Sequence, residues 1–539
     1  MKMTAKRTWY KLCLMLLISF VFVLAGCSSD TPTFATRANT GNTGLTNTGL
    51  TNSSSGLKIT IKNNSGRTAY VKFTGDSLAV DPNDVSIASG GSTDFTLTSV
   101  SSGRIYISYD KALSSDAPDG ANKTDPDYLT RFDKIELSYN QGGGGTANLT
   151  AVDFYAIPMI LETSIQGTTI EHLTLADGQT GSGVDTAITG TGILSDPSSA
   201  VIKGGKNGTE TVRILSPVKS PQAYTSFDAY LDILAGSKTP TTLSISGTFY
   251  GTPSQSYTYT GTIDTTGITL NSASNAIFLP MSTLKYNSSD STSHNGIYTC
   301  NSPYYTIDKN KNQVIHHVAD NDIYAAVYRD LVTGFNLGFV KPGIKNDSTG
   351  WWQSTSIPFQ GTSYNGYAEV IANNYRGAYG FPFTDRYTHI LADLGGKIDT
   401  TTITIDTMTI TILDDNTSPA PYNPQGISNP QTGTPKFNLV LITSDANFAN
   451  TTFTFDTHTY NGGNAYEFPT KWISSVDVKS AQVNDVPTQN GLNIYSFLLG
   501  GEKYSVFVQV DNGTVSWGSM AGGASAKFDA KKINLYVGL

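Results

Sequence analysis

A mainly β fold is what the sequence predicts, and three observations predict it. Short runs of alternating apolar and polar residues recur from Leu57 onward, the period-two signature of half-buried strands. Turn clusters such as Asn63-Asn64-Ser65-Gly66 and Ser89-Gly90-Gly91-Ser92 separate those runs,. Charged residues make up only 14% of the chain while Thr and Tyr are abundant, a composition suited to packed, pleated sheets in a sandwich or barrel. A chain of 539 residues is too long for one such core, so more than one domain is expected,.

The first 26 residues read as a targeting segment. Lys2, Lys6, Arg7 and Lys11 form a basic start, residues 12–24 are mostly apolar, and Leu24-Ala25-Gly26-Cys27 closes the segment with small residues before a cysteine,. This is similar to a bacterial lipoprotein signal, with Cys27 as the lipidated residue; the alternatives are an ordinary cleaved signal or an uncleaved anchor. Loss of residues 1–26 removes four basic residues and leaves 31 basic against 43 acidic ones, a net charge of −12. Such an acidic chain excludes nucleic acid as the favoured partner and suits a neutral polysaccharide. The expected location is the bacterial cell envelope, with the lipid at the outer membrane or cell surface as the only membrane contact. Residues 27–56 are rich in Ser, Thr, Asn and Gly, with a repeated Asn-Thr-Gly-Leu-Thr pattern, and are expected to form a flexible tether,.

Between about 190 and 375 helical periods appear among the strands. Ser226 is a plausible N-cap for Phe227, Tyr230, Leu231 and Leu234, with Gly236 as the stop,. A second helix is expected from near Asp320, with Ile323, Val327 and Leu331 on one stripe, ending before Gly334. Strands are expected at 242–250 and 257–270. The mixture implies an α/β lobe at about 190–375 beside a barrel built from about 57–185 and 376–413, with a sugar chain in a cleft between them. Residues 414–435 read as a linker. Residues 436–539 alternate again, as a β-sandwich-like accessory domain in which Trp472, Trp517, Tyr460 and Tyr466 are either core or a sugar-stacking platform,.

The stretch most suited to chemistry is residues 132–158, FDKIELSYNQGGGGTANLTAVDFYAIP. Two alternating runs flank Gly142 to Gly145, so a hairpin with a loose turn is expected. With the hairpin symmetric about Gly144 and Gly145, paired residue numbers sum to 289. Glu136 then faces Asp153, with Ser138 and Asn140 on the same face. A one-residue slip would separate the two acids. Paired carboxylates with hydroxyl and amide neighbours suit glycosidic bond cleavage, although two unrelated surface acids are the plainer reading of the spacing alone.

Glu136-Leu137-Ser138-Tyr139-Asn140 and the run from Asn148 to Pro158 resemble the catalytic hairpin of glycoside hydrolase family 64, the thaumatin-like endo-β-1,3-glucanases with the laminaripentaose-producing enzyme as their type. Residues 57–66, 103–108, 365–368 and 377–385 resemble further family stretches in the same order. The resemblance covers about 57–413 and implies a thaumatin-like barrel, an α/β lobe and an inverting reaction on β-1,3-glucan by a monomer without cofactor. By position it implies Glu136 as general acid and Asp153 as general base. Ser138, Asn140 and Thr150 match positions that bind sugar hydroxyls, and Tyr379 and Asp385 are weaker matches. The acid would need its pKa raised by burial or by its neighbour. A second reading on the same fold is a binding lipoprotein without turnover.

Four departures from the family stand out. Thr146 occupies the position of a family tryptophan, Ser138 replaces a usual Thr, and the turn holds about one extra residue. Cys300 resembles a family disulfide half whose partner, near Ala325 or Ala326, is absent; with Cys27 lipidated, Cys300 is expected to be a buried apolar residue. No metal site is expected, because His316-His317 are adjacent rather than at the helical spacing of paired ligands. No phosphate-binding glycine loop is present, since the Gly142 to Gly145 run lacks a following lysine,.

Overall fold

The computed structural model describes residues 56–419 apart from 166–167, 177, 191, 206–207, 250–254, 287–295, 309, 349–350, 352–358, 385–389, 399–400 and 404, together with the strands between Lys436 and Tyr536. The expected signal, Cys27, nearly all of the tether, Asp385 and the side chains beyond residue 435 lie outside the described residues. Among the described residues no helix is long and apolar enough to cross a membrane. The chain divides into two compact units. One comprises Thr36–Thr225, Asn336–Phe339 and Thr349–Leu539, and the other includes Ser226–Phe335 and Val340–Ser348.

The first unit is built on a twelve-stranded sheet. It contains β1 (Leu57–Asn63), β2 (Ala69–Asp81), β3 (Val85–Ile87), β4 (Ser92–Tyr109), β5 (Phe132–Asn140) and β6 (Gly144–Thr150). After the short β7 (Phe154–Tyr155), which pairs elsewhere, it adds β8 (Met159–Ile165), β9 (Thr168–Leu175) and the later strand Thr407–Ile412. β1 shows the cause of its pleating: Leu57, Ile59 and Ile61 are fully buried while Lys58 and Lys62 are exposed,. It lies between β4, which runs antiparallel, and Thr407–Ile412, which runs parallel. The main path runs β9, β8, Thr407–Ile412, β1, β4, β5, β6. One short segment then meets both ends of this path: Arg376 pairs with Thr174 of β9 and Ala378 with Leu149 of β6. The sheet thereby comes round on itself as a nearly closed barrel, which removes most free edges. The mainly β, barrel-like expectation is borne out.

The strands beyond Lys436 form two five-stranded sheets. Lys436–Thr443 pairs with Lys479–Pro487 and Lys532–Tyr536 in one, and Gly491–Leu499 pairs with Thr452–Thr459 and Glu502–Asp511 in the other.

The second unit holds a seven-stranded sheet flanked by helices, richer in strands than expected. The expected strand 257–270 is two strands, Gln255–Asp264 and Gly267–Asn271, because Asp264 Oδ1 accepts from the amide and hydroxyl of Thr266 and closes a hairpin turn,. The helix Asp228–Ala235 ends at Gly236 as expected, but its N-cap is Phe227, not Ser226; Ser226 sits one residue earlier, where its Oγ accepts the Asp228 amide at 2.9 Å. The second helix, Ile323–Asn336, starts from Asp322, whose Oδ1 accepts the Ala325 amide,. It does not stop at Gly334 as expected. It runs on to Asn336, and Gly338, at φ 76° and with a Cβ position only 1.7 Å from the Gln360 carbonyl oxygen, is the residue past the end that only glycine can occupy,. Cys300 is buried and forms no disulfide among the described residues, as expected, and its Sγ lies 3.5 Å from the Ile297 carbonyl oxygen.

Candidate active site

The hairpin that carries Glu136 pairs in a different register from the expected one. Ile135 faces Leu149, Glu136 faces Asn148, Ser138 faces Thr146 and Asn140 faces Gly144, so paired numbers sum to 284. Glu136 is therefore not opposite Asp153, which lies beyond the end of β6. The cause is the glycine tract. Gly142 and Gly144 adopt φ of 79° and 78°, and a Cβ on Gly145 would sit 1.9 Å from the Ser138 carbonyl oxygen. These demands centre the reversal on Gly142, with the Gly143 amide donating to the Asn140 carbonyl at 2.9 Å,. The turn is specific rather than loose.

Alternation from this register sorts the strands into two faces. Ile135, Leu137, Tyr139, Ala147 and Leu149 are buried on one. The other carries Lys134, Glu136, Ser138 and Asn140 of β5, Asn148 and Thr150 of β6, and Arg104 and Tyr106 of β4, where Arg104 pairs with Glu136 and Tyr106 with Lys134,.

Asp153 reaches this polar face through its side chain. Its carboxylate forms a short ion pair with Lys134 and a longer one, at 3.6 Å, with Lys219. The backbone around it is fixed from several sides. The Ser216 amide donates to the Asp153 carbonyl at 3.0 Å, and Leu215 pairs with Phe154. Phe154 packs edge-on against Phe132 at 5.3 Å, and the buried guanidinium of Arg213 lies 4.2 Å over the Phe132 ring and 5.3 Å over that of Phe154,. Buried Asp133 accepts the Ala156 and Ile157 amides, both at 2.9 Å, so neighbouring residues of β5 hold the Asp153 segment at two points. Burial raises Asp133 to about 7 against the lowering effect of these amides,.

Five charged groups share the site. Burial alone would raise the Asp153 pKa, but Lys134, Lys219 and Arg104 outweigh it and hold the carboxyl well below its usual range,. Burial would lower Lys134, and the negative charges of Asp153 and Glu136 instead raise it. Both predicted acids thus act on one ammonium, although they are not cross-strand partners. Arg104 approaches Glu136 at 3.7 Å. Three cations against two acids are an unfavourable environment for a metal ion.

The other predicted residues spread along the face. Ser138 is exposed, and its Oγ accepts the Ser102 amide at 3.3 Å. Asn140 is exposed at the hairpin end. Buried Thr150 lies toward the opposite end of that face, beside Asp153, with its hydroxyl accepting the Val152 amide at 3.3 Å. Tyr379 pairs with Thr150, and its ring is buried with Val152, Ile390 and Leu391. Sequence reading missed Lys134, Arg104, Lys219 and Asn148. Counting back two from Glu136 signals Lys134, and the correct register signals Asn148, whereas Arg104 and Lys219 come from distant segments with no local sign. Asn148 is notable because its Oδ1 is buried and has no hydrogen-bond partner among the described residues.

The sequence model of the β-1,3-glucanase family, glycosyl hydrolase 64, matches residues 33–412. Solved structures similar to the chain include a laminaripentaose-producing β-1,3-glucanase in complex with laminaritetraose, at 20% identity, with 66% of this chain and 98% of that one covered and a TM-score of 0.42. A β-1,3-glucanase domain from Clostridium beijerinckii is 14% identical, with 68% and 100% covered and a TM-score of 0.41. A laminaripentaose-producing enzyme from Paenibacillus barengoltzii is also 14% identical, with 67% and 76% covered and a TM-score of 0.36. No curated protein matches the chain significantly. The family match spans more than half of the chain and runs through the hairpin with Glu136 and Asp153, and on that basis the chain belongs to glycoside hydrolase family 64, the β-1,3-glucanases.

Proposed function

We propose that this chain is an exported endo-β-1,3-glucanase, lipid-anchored through Cys27 in the cell envelope, that cleaves β-1,3-glucan with inversion. One observation carries the catalytic reading: Glu136 and Asp153, the two acids singled out by the resemblance, act on the same buried ammonium of Lys134 at one end of a polar sheet face. The anchor rests on the sequence of residues 1–27 alone.

In the proposed reaction Glu136 gives its proton to the glycosidic oxygen as the bond to the anomeric carbon breaks. Asp153 takes a proton from a water that attacks that carbon from the opposite face, so the new hemiacetal has the α configuration. Ionised Asp153 is in the state that a base requires. Lys134 and Lys219 are positioning residues that keep it so and fix its orientation. Ser138 and Asn140 lie two and four residues along β5 from Glu136, about 7 and 13 Å at strand rise. This spread suits successive sugars of a chain, with Thr150 and Asn148 on the side toward Asp153.

The test is incubation of the protein with soluble β-1,3-glucan beside Glu136→Gln and Asp153→Asn, with oligosaccharide release and anomeric configuration followed by NMR. The proposal expects α-configured products from the parent and a loss of at least about 100-fold in either variant. A parent as silent as both variants but still retained on insoluble glucan would replace the enzyme with a glucan-binding lipoprotein. The cations around both acids and Thr146 in place of a family tryptophan give that reading its weight.

A further inference from the structure

In the second unit, far in sequence from the hairpin, His316, Asp320 and Asp322 bring one ligand atom each to within 4.8 Å of one another. His316 ends the strand Gln313–His316, Asp320 ends the short 3-10 turn Val318–Asp320, and Asp322 caps the helix Ile323–Asn336. The strand-to-helix connection makes the juxtaposition, so it escapes any rule based on helical His spacing.

Three features point to a ligand. His316 Nδ1 stands 3.4 Å from Asp320 Oδ2 and 3.4 Å from Asp322 Oδ2, beyond ordinary hydrogen-bond length. Two donors on a zinc ion, with bonds of about 2.1 Å and tetrahedral angles, stand about 3.4 Å apart. The other ring nitrogen, Nε2, is 2.8 Å from Thr306 Oγ1. With Nε2–H donating there, Nδ1 faces two carboxylates, an arrangement that a cation held between the three groups stabilises. Finally, Tyr304 is fully buried and stacks on the His316 ring at 5.7 Å, and its hydroxyl has no hydrogen-bond partner among the described residues. A water on a bound ion would supply that hydroxyl's missing partner.

We propose that His316, Asp320 and Asp322 form a binding site for a divalent transition-metal ion, with Zn2+ as the best fit to one imidazole and two carboxylates. Thr306 orients the imidazole. Asp322 Oδ1 remains engaged with the Ala325 amide and Asp320 Oδ2 with the His317 amide, at 2.8 and 2.9 Å, so the two ligands are pre-positioned by caps. The ion would tie the strand to the helix and serve structure rather than glycoside cleavage.

The full chain, stripped with chelator, is titrated with Zn2+ by calorimetry and its thermal midpoint is read with and without the ion, beside His316→Ala, Asp320→Asn and Thr306→Val. The proposal expects one Zn2+ per chain, a raised midpoint in the parent, and binding weakened at least about tenfold in each variant. Asp320 is exposed, so Asp320→Asn keeps the test decisive if His316→Ala does not fold. Parent binding without a midpoint shift, equal affinity in Asp320→Asn, or equal stabilisation by Ca2+ would overturn the assignment.

Discussion

Lys134 and Asp153 form an ion pair across nineteen residues of sequence, and this pair, not cross-strand opposition, brings the two acids of the hairpin region to one site. The lysine depresses the Asp153 pKa, so removing it must raise that value: the nearby positive charge goes while the burial that disfavours the carboxylate stays,. In the parent, the acid limb of kcat/KM is expected below about 4. In Lys134→Met it is expected to move up by about 1–3 units, a shift that a pH series on soluble β-1,3-glucan measures directly. An unmoved limb would remove Lys134 from the control of Asp153. Stability follows the same sign. The depressed carboxylate contributes above its unfolded value of about 3.9, and that contribution is lost as pH falls toward the folded one, so the parent should lose more stability than Lys134→Met below about pH 4.

Asn148 faces Glu136 with an unpartnered, buried Oδ1, which is the chemistry that receives a sugar hydroxyl. Replacement by alanine should raise KM about 2–10-fold, the worth of one hydrogen bond, with kcat nearly unchanged. The thermal midpoint should hold or rise slightly, since an unsatisfied acceptor is removed from the fold. A fall in midpoint at constant KM would make Asn148 structural.

What the sequence made legible here was pattern, and what it hid was contact. Alternation placed β1, β5 and β6, and the apolar spacing of Tyr230, Leu231 and Leu234 with Gly236 as the stop placed a helix whose N-cap is Phe227 rather than Ser226, because these depend on neighbours a few residues away. The hairpin register was hidden because four consecutive glycines look interchangeable. In the folded chain Gly142 and Gly144 need positive φ, Gly145 needs no side chain, and Gly143 needs neither. The acids themselves were identifiable through the resemblance. Their electrostatic environment was not, since Arg104 and Lys219 arrive from β4 and from the loop after residue 215. The His316 group was hidden for the same reason, with a turn doing what helical spacing does elsewhere.

That difference among the glycines is measurable. Gly145→Ala drives a Cβ into the Ser138 carbonyl, and the resulting overpacking should cost about 2 kcal/mol or shift the register,. Gly143→Ala meets nothing closer than 3.6 Å and should be neutral or stabilise by about 0.5 kcal/mol through the unfolded chain,. Urea unfolding of both variants decides the matter, and activity should follow Gly145→Ala downward because Glu136, Ser138 and Asn140 share that hairpin. Equal stability of the two variants would mean the tract does not set the register.

The segment carrying Asp153 has a second anchor in Arg131, whose guanidinium grips Asp415 with two contacts of 2.6 Å and donates to the Ala156 carbonyl at 3.0 and 2.6 Å. Burial opposes the charge of Arg131, and Asp415 more than compensates. Arg131→Met leaves Asp415 and the Ala156 carbonyl without their donors and should cost about 3 kcal/mol, the low end for a buried pair because Asp415 is one-third exposed,. Arg131→Lys should recover only part of this, since a single ammonium cannot serve a bidentate carboxylate and a carbonyl in the same planar arrangement. Ala156 lies three residues after Asp153, so the loosened segment should also lower kcat more than it raises KM, by misplacing the base rather than the sugar subsites. Steady-state kinetics at a temperature where both variants are fully folded separates this from simple loss of stability: an unchanged kcat would confine Arg131 to the barrel and free the site from its influence.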